Sequence, residues 1–312
     1  MNATIRAEGA LMRALRWREA LLPPETDAFR VVDGEADGFP GVSVDAFAGH
    51  WWVQSSGLRL PPGFEEAAAS HCQSLWWKVR EAPAGLAPVQ HLRGSEPDQP
   101  FLAREEGLRF VIDFRAGSSP GVFLDQRLNR HAVRARVRTG DQVLNCFAYT
   151  CGFSVAAALG GSVTTSLDLS PRCLDWGRAN FEANDLVPED HFFCRGDVMT
   201  WLTRWGKQQR RFAGVILDPP TFSRAGKGRG IFRVEKDFGS LAAKALEVTE
   251  PGGWLLCCTN DRGLPARRFL ALIQTACADR GRTARFRMET MPPEFRGEPY
   301  LKTVWVDLAA DG

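Results

Sequence analysis

The sequence predicts an α/β protein with a mostly parallel sheet covered by helices on both faces, preceded by a small β-rich domain. From residue 107 onwards, short apolar runs alternate with longer segments of helical periodicity, as in sheets whose parallel strands are joined by helices. The apolar runs are continuous, which is typical of strands buried on both faces. Before residue 107, strand-like runs are instead separated by turns that contain Gly, Asp and Pro.

The first 106 residues are expected to form the small β-rich domain and a linker. An amphipathic helix interrupted by Gly9 opens the chain, and residues 29–54 have strand patterns with turns at DGEADGFPG and AFAGH. Residues 61–75 are typical of a helix, and LWWKVRE of another strand. The stretch 82–100 contains several Pro and Gly residues, so it is interpreted as a linker.

The second part, residues 107–312, is expected to form one domain with alternating elements. The predicted strands are LRFVIDF, QVLNCF, TTSLDL, HFFCRGD, FAGVILDPP, WLLCCTN, ARFRMETM and LKTVWVDL. The predicted helices are FLDQRLNRHAVRARV, FSVAAALGG, PRCLDWGRANFEAND, VMTWLTRWGKQQ, DFGSLAAKALEVT and PARRFLALIQTACADRG.

Composition excludes several classes of protein. A 44% hydrophobic and 24% charged chain of 312 residues is typical of a globular protein, and no apolar run approaches the roughly 20 residues of a membrane helix. The N-terminus carries acidic residues and has no cleavage-site pattern. The eight cysteines form no C-x-x-C pair, and the five histidines do not repeat at ligand spacing. We therefore expect a cytoplasmic protein with reduced thiols, no metal and no membrane partner.

Charge is unevenly distributed along the chain. Residues 1–106 contain 10 basic and 15 acidic residues, whereas the remainder contains 29 basic and 22 acidic residues. A basic second part is compatible with a nucleic-acid partner.

Polar side chains follow the predicted parallel strands, where ligands bind in sheets of this kind. NCFAYTCGF follows the first strand of the alternation, Asp168 and Asp197 follow the next two, and DPP begins at Asp218. A tight turn into a helix can receive a carboxylate, and an acidic residue about 20 positions later can bind ribose hydroxyls. Because G-x-G-x-x-G is absent, the pattern favours S-adenosylmethionine (SAM) over NAD(P). Each single Asp is equally compatible with a helix cap.

The motif DPPTFS carries the strongest local signal. The two prolines Pro219 and Pro220 fix the backbone and remove two N–H donors, which leaves rigid carbonyl acceptors beside Asp218. A planar heterocycle could be stacked by Phe222 and hydrogen-bonded through Asp218. The alternative is a proline-closed turn after a buried strand.

Five blocks of sequence resemble the bacterial 23S rRNA methyltransferases of the RlmI and RlmK type. The blocks are FLDQRLNR, VLNCFAYTCGFSVAAALGG, SLDLSPRCLDWGRANFEAND, VILDPPTFSR and YLK, in this order. GEADGFPGVSVDAFAGHWWVQ resembles the small β-rich segment that precedes the catalytic domain in that family. A PUA module, a THUMP domain or a fused second methyltransferase is not recognised in the sequence.

The resemblance implies a class I, Rossmann-like methyltransferase with a seven-stranded sheet, SAM as cofactor and RNA, such as 23S rRNA or a pre-ribosomal subunit, as partner. It divides the chain into a small α+β N-terminal domain with linker, 1–106, and a methyltransferase domain, 107–312. Residues at matching positions would line the cofactor: Gln126, Arg127, Asn145, Phe147, Tyr149, Gly152, Asp168, Asp197 and Asp218.

One position departs from the family pattern. Cys151 stands where the family usually has the first glycine of a Gly-Gly pair. If φ is positive there, cysteine is strained by roughly 1 kcal/mol or more, and SAM affinity would fall.

The paired cysteines Cys257 and Cys258 raise the question of a nucleophile, because methylation of cytosine at C5 needs a thiolate. Aligning Gly252-Gly253 with the family places the RlmI-type cysteine at Asn260. The RlmK-type pattern resembles CTNDRG here, and those members methylate N7 of guanine, which needs no covalent help. The cysteines are therefore interpreted as buried small hydrophobes, with a role for Cys258 in cytosine methylation as the alternative. Asn260 is interpreted as a base contact.

The segment after DPPTF is rich in cations. Its basic residues are Arg224, Lys227, Arg229, Arg233 and Lys236. We expect a basic lid that contacts RNA phosphates and covers a flipped base; the alternative is an ordinary solvated loop. Methylation of a small molecule or protein, and a non-catalytic binding module, also stay open, as does a homodimer.

Overall fold

A computed structural model describes residues 2–80, 89–116, 119–224 and 231–310, without the side chains of 222–224 and 231. The chain divides into two compact units: one contains residues 1–127 and 292–298, and the other contains 128–291 and 299–312. The domain boundary expected at residue 106 stays a prediction. In the described part of the chain, no helix is long and apolar enough to cross a membrane.

The first unit is built on a five-stranded sheet with the order β1-β2-β3-β4-β5. Only β3 and β4 run parallel; their neighbours pair antiparallel. Two further strands form a separate antiparallel hairpin. The elements are α1 (Ala3–Glu19), β1 (Ala28–Asp33), β2 (Val42–Phe47), β3 (His50–Ser55), α2 (Phe64–Ala69), β4 (Ser74–Val79), β5 (Gln90–Gly94), β6 (Phe101–Glu105) and β7 (Leu108–Ile112).

Helix α1 packs its apolar stripe into the core of this unit. Leu11 is fully buried and belongs to one cluster with Val44 and Phe64. Arg18 is also fully buried, and its guanidinium donates to both carboxylate oxygens of Asp37, at 3.0 and 2.6 Å. The same group donates to the carbonyl of Glu294 at 2.9 Å. This network joins α1 to the late segment 292–298.

The second unit carries the alternating part of the sequence. Its elements are α3 (Arg127–Arg136), β8 (Gln142–Cys146), α4 (Gly152–Leu159), β9 (Val163–Asp168), α5 (Pro171–Ala183), β10 (Phe192–Arg195), α6 (Val198–Lys207), β11 (Phe212–Leu217), β12 (Phe222–Arg224), β13 (Ile231–Arg233), α7 (Val234–Glu247), β14 (Thr249–Thr259), α8 (Ala266–Asp279), β15 (Ala284–Glu289) and β16 (Lys302–Leu308).

Seven of these strands form one sheet in the order β10-β9-β8-β11-β14-β16-β15. The strands from β10 to β14 pair in parallel, and β16 is antiparallel to both of its neighbours. Strand order reverses beside β8, which creates the switch point where ligands bind in such sheets. The predicted Rossmann-like, seven-stranded and mostly parallel sheet is confirmed.

Helices cover both faces of this sheet. On one face, α6, α7 and α8 pack side chains such as Leu202, Phe238 and Phe269 against the strands. On the other face, α3 and α4 contribute Val133 and Phe153. Both faces of the sheet are therefore shielded from solvent, which explains the continuous apolar runs in the sequence.

Some element predictions for the first unit were wrong. Helix α1 continues through Gly9, because one glycine costs a helix only about 1 kcal/mol. The helix expected over 61–75 is short, since Gly63 has φ +76° immediately before it. Part of the expected linker is β5, which pairs with β4.

Candidate functional site

The loops after β8, β9, β10, β11 and β14 lie at one edge of the seven-stranded sheet, because parallel strands end on the same side. The structure therefore brings together most of the residues singled out from the sequence. They are Asn145, Phe147, Tyr149, Gly152, Asp168, Asp197, Asp218, Pro219, Pro220 and Asn260.

The loop between β8 and α4 has an unusual backbone. Phe147, Tyr149 and Cys151 have positive φ angles of 57°, 48° and 63°. Residues other than glycine rarely adopt this backbone conformation. Hydrogen bonds hold the loop in place: the N–H of Ala148 donates to the carbonyl of Leu167 at 3.0 Å. The surrounding structure thus enforces the tight turn into α4 that the sequence predicted.

Cys151 has a left-handed backbone conformation. A cysteine at this position, where the family usually has glycine, is therefore strained. Its side chain is fully buried, and burial raises the pKa of the thiol to about 12. A Cβ atom at Gly177 of α5 would collide with the sulfur of Cys151. Cys151 and Gly177 therefore share one space, and the protonated thiol acts as a small buried side chain.

Asp168 ends β9 and binds the loop after β8. Its carboxylate accepts from the N–H of Tyr149 at 2.9 Å and from the N–H of Ser170 at 2.8 Å. Asp168 is only partly buried. Trp176 lies beside Tyr149, with ring centroids 6.3 Å apart. A carboxylate that ends the second strand of the alternation at this edge suits a ribose.

Asn145 lies in β8, before the loop, and stabilises the beginning of α4. It is buried, and its amide donates to the hydroxyl of Ser154 in α4 at 2.9 Å. Ser166 of β9 donates to the same hydroxyl at 2.7 Å. These bonds connect β8, α4 and β9, so the structure uses the side chain of Asn145 to fix the beginning of α4.

Asp197 caps α6, which is the alternative that the sequence left open for a strand-terminal carboxylate. Its Oδ1 accepts from the N–H of Thr200 at 2.9 Å and from the hydroxyl of Thr200 at 2.7 Å. The contact of Asp197 to the cofactor stays a prediction.

The DPP motif and the end of β14 meet through a hydrogen bond that the sequence did not suggest. Pro219 is buried, Pro220 is exposed and Asp218 is partly buried. The hydroxyl of Thr221 donates to Oδ1 of Asn260 at 2.8 Å. The bond joins residues 39 positions apart in the chain.

The turn after Asn260 is rigid and basic. The Asp261 carboxylate accepts from the N–H of Gly263 at 2.9 Å, and Nζ of Lys302 donates to the Asp261 carbonyl. The guanidinium of Arg262 lies 4.6 Å from the ring centre of Tyr300. The blocks NDRG and YLK contain these residues, but only the antiparallel register of β14 and β16 brings them together.

Cys257 and Cys258 are both fully buried inside β14. They face opposite sides of the sheet, since Cys257 packs in the cluster with α6, α7 and α8 and Cys258 in the cluster with α3 and α4. Burial raises the pKa of the Cys257 thiol well above its usual range. Cys258 lies 3.7 Å from the amide nitrogen of Asn129. This placement supports their interpretation as core residues.

Gln126 and Arg127 belong to the first unit, which ends at Arg127, the first residue of α3. Both are buried, and the guanidinium of Arg127 donates to Glu106 at 2.6 Å and to Glu294 at 3.0 and 2.8 Å. These ion pairs give Arg127 a structural role. The cofactor contacts expected for the two residues stay predictions.

The basic segment is described only in part. Arg233 and Lys236 are exposed at the beginning of α7. The backbone of Arg224 pairs with Ile231 in the short β12–β13 hairpin, and the side chains of Phe222 and Arg224 are outside the description. Lys227 and Arg229 lie outside the described residues.

The site fits SAM in its chemistry. The N–H groups at the beginning of α4 are not capped by the side chain of Cys151, so they can receive a carboxylate, while Asp168 can bind a ribose. Among the described residues, no group of His, Cys, Asp and Glu could hold a metal ion.

Comparisons with known proteins agree with this geometry. A family model described as S-adenosylmethionine-dependent methyltransferase matches residues 64–299. The ribosomal RNA large subunit methyltransferase I of Enterobacter sp. (strain 638) is 33% identical over 290 residues, which cover 88% of this chain and 72% of that protein. The ribosomal RNA large subunit methyltransferase K/L of Methylococcus capsulatus is 31% identical over 301 residues, covering 91% of this chain and 39% of that protein.

Among solved structures, SMU.776 complexed with SAH superposes with a TM-score of 0.87 at 26% identity. The match covers 98% of this chain and 82% of that one. The family resemblance and the cofactor class read from the sequence are thereby confirmed.

Proposed function

The chain belongs to the S-adenosylmethionine-dependent methyltransferase family, and from this premise we propose that it methylates a base of large-subunit ribosomal RNA. The observation that carries the proposal is the arrangement of the DPP loop and Asn260 beside the cofactor loops, at one edge of the sheet. Relatives named for large-subunit ribosomal RNA match along most of this chain.

The cofactor would be held by the loops after β8 and β9. Asp168 would accept from the ribose hydroxyls, the first N–H groups of α4 would bind the amino-acid carboxylate, and Asp197 would accept from the adenine amino group. Phe147, Tyr149 and Gly152 would line the same pocket. Bound there, SAM supplies a sulfonium-activated methyl group.

The base would be held by the DPP loop and by Asn260. Carbonyl acceptors fixed by the two prolines, the carboxylate of Asp218 and the ring of Phe222 would orient a planar heterocycle, and Asn260 would bind a base edge. Alignment of a ring nitrogen with the methyl group supplies most of the rate enhancement. We favour N7 of guanine, because this transfer needs no thiolate and Cys258 is buried in the sheet.

RNA phosphates would be bound by the basic segment. Arg224, Lys227, Arg229, Arg233 and Lys236 would contact the backbone and cover a base that has been flipped out of its helix. Binding of ribosomal RNA should therefore weaken steeply with salt. We expect the reaction in the cytoplasm.

The test compares the modified nucleosides of ribosomal RNA from a wild-type and a gene-deletion strain by mass spectrometry. Loss of 7-methylguanosine in the deletion strain is the expected result. Loss of 5-methylcytidine would instead establish the cytosine alternative, and unchanged nucleosides would refute methylation of ribosomal RNA.

Replacement of Asp218 tests the base site. Asp218→Ala should reduce methyl transfer at least about 100-fold, because the carboxylate orients the reacting base, while circular dichroism should show an intact fold. Asp175→Ala is the matched control: Asp175 is exposed and, among the described residues, pairs with Arg178 on the surface of α5, so activity should not change. Full activity of Asp218→Ala would refute the assignment.

A further inference from the structure

The hydrogen bond between Thr221 and Asn260 fixes the orientation of an exposed side chain. Thr221 follows the two prolines that stiffen the DPP loop, and Asn260 precedes the turn held by Asp261 and Lys302. Both ends of the 2.8 Å bond are thus attached to rigid backbone. A bond in this setting costs little additional side-chain entropy and selects one rotamer and one face of the amide.

The direction of this bond decides what Asn260 can offer to a ligand. An asparagine amide has one oxygen that accepts and one nitrogen that carries two donors. Oδ1 accepts from the hydroxyl of Thr221, so the nitrogen is turned away from Thr221. Within the described residues, no protein group accepts from this nitrogen, and the side chain is exposed.

We propose that Thr221 is a positioning residue that turns the N–H donors of Asn260 toward the target base, so that the enzyme selects a base with an acceptor next to the methylated atom. The proposal rests on the proposed function and specifies the chemistry of its substrate. Thr221 acts through Asn260 and does not itself need to contact the base.

Such donors discriminate between the candidate bases. The atom next to N7 on the guanine edge is O6, an acceptor, whereas the group next to C5 of cytosine is the N4 amino group, a donor. Asn260 in the observed orientation would donate to O6 of guanine. The N–H groups of Asn260 would oppose the N–H groups of cytosine N4, which leaves both unsatisfied. The orientation therefore favours the guanine edge.

The decisive variant is Asn260→Asp. A carboxylate can still accept from Thr221 but has no N–H to donate, so kcat/KM for ribosomal RNA should fall about 10- to 100-fold, as for Asn260→Ala. If Asn260→Asp is as active as the wild type, the base presents a donor to this position, and the proposal is wrong.

The positioning role is tested on Thr221. Thr221→Val keeps the shape but removes the hydroxyl, and kcat/KM for RNA should fall about 3- to 10-fold, whereas Thr221→Ser should restore it. In the Asn260→Ala background, Thr221→Val should cause no further loss, because the two residues act as one unit. Equal losses in both backgrounds would show that Thr221 acts independently of Asn260 and would overturn the proposal.

Two readouts separate this proposal from the proposed function. The Kd for SAM, measured by calorimetry, should be the same in all variants, which also shows that they are folded. If the wild type binds SAM but transfers no methyl group to ribosomal RNA, the proposed function fails. If the wild type is active and Thr221→Val is indistinguishable from it, only the positioning role fails.

Discussion

At the scale of single residues, the side chain of Cys151 occupies the space that a side chain at position 177 would need, which accounts for the glycine there. Cys151 has φ +63°, where a side chain is strained, and its sulfur lies where a Cβ at position 177 would be. Gly177 is in the middle of α5, where glycine is unfavourable. The sequence showed the unusual cysteine and the condition for strain. It could not show Gly177 as its partner, because the contact depends on how α5 packs against the loop.

This pair makes a prediction about stability. Gly177→Ala alone should destabilise the protein, since the new Cβ meets the sulfur of Cys151. The double variant Cys151→Gly/Gly177→Ala should be more stable than the wild type by about 1 kcal/mol, because backbone strain is relieved and alanine favours the helix. Urea unfolding of the wild type, Cys151→Gly, Gly177→Ala and the double variant measures the coupling between the two positions. Additive effects would show that the two side chains do not share a space.

At the scale of elements, the buried Arg18–Asp37 pair joins α1 to the turn after β1. Burial would raise the pKa of Asp37, but hydrogen bonds from Arg18 and from the backbone of Asp33, with the charges of Arg18 and Arg296, hold it below its usual value of 3.8. The folded protein therefore releases the proton of Asp37 more readily than the unfolded chain does. This stabilisation is present above pH 3.8 and is lost as the pH falls through the lowered pKa.

Replacing Arg18 should show how much free energy the buried charge of Asp37 costs when it has no arginine partner. Arg18→Met should lower the free energy of unfolding at pH 7 by about 3–5 kcal/mol, because Asp37 loses its main partner. Arg18→Met/Asp37→Leu should recover much of the loss. Denaturant titrations at pH 7 and pH 3 provide the measurement, and the deficit of Arg18→Met should narrow at pH 3. A deficit that is the same at both pH values would show that Asp37 is not its source.

At the scale of the whole molecule, the sequence was sufficient for the sheet and for the edge that carries the site. Continuous apolar strands and polar residues at their ends follow directly from burial on both faces, so Asp168, Asp218 and Asn260 could be placed from pattern and resemblance. The partners of these residues could not be placed. The Thr221–Asn260 bond and the Arg262–Tyr300 contact depend on strand register between segments about 40 residues apart. The hydrophobic periodicity of the sequence does not indicate which side chains from two distant segments come into contact.

The segment 292–298 has a consequence for the order in which the protein matures during translation. It supplies Glu294, which binds both Arg18 and Arg127, yet it leaves the ribosome after the whole of residues 128–291. N-terminal parts of a chain usually fold first during synthesis. Here the N-terminal unit should instead complete its folding after residues 128–291 have been synthesised. The unit should complete its folding only when Glu294 reaches Arg18 and Arg127, which until then have Asp37 and Glu106 among their partners.

Ribosome-bound chains halted after residue 291 should accordingly be cut by trypsin within α1, whereas chains that include residue 298 and the rest of the sequence should resist. Equal resistance would show that the early part folds without its late partner.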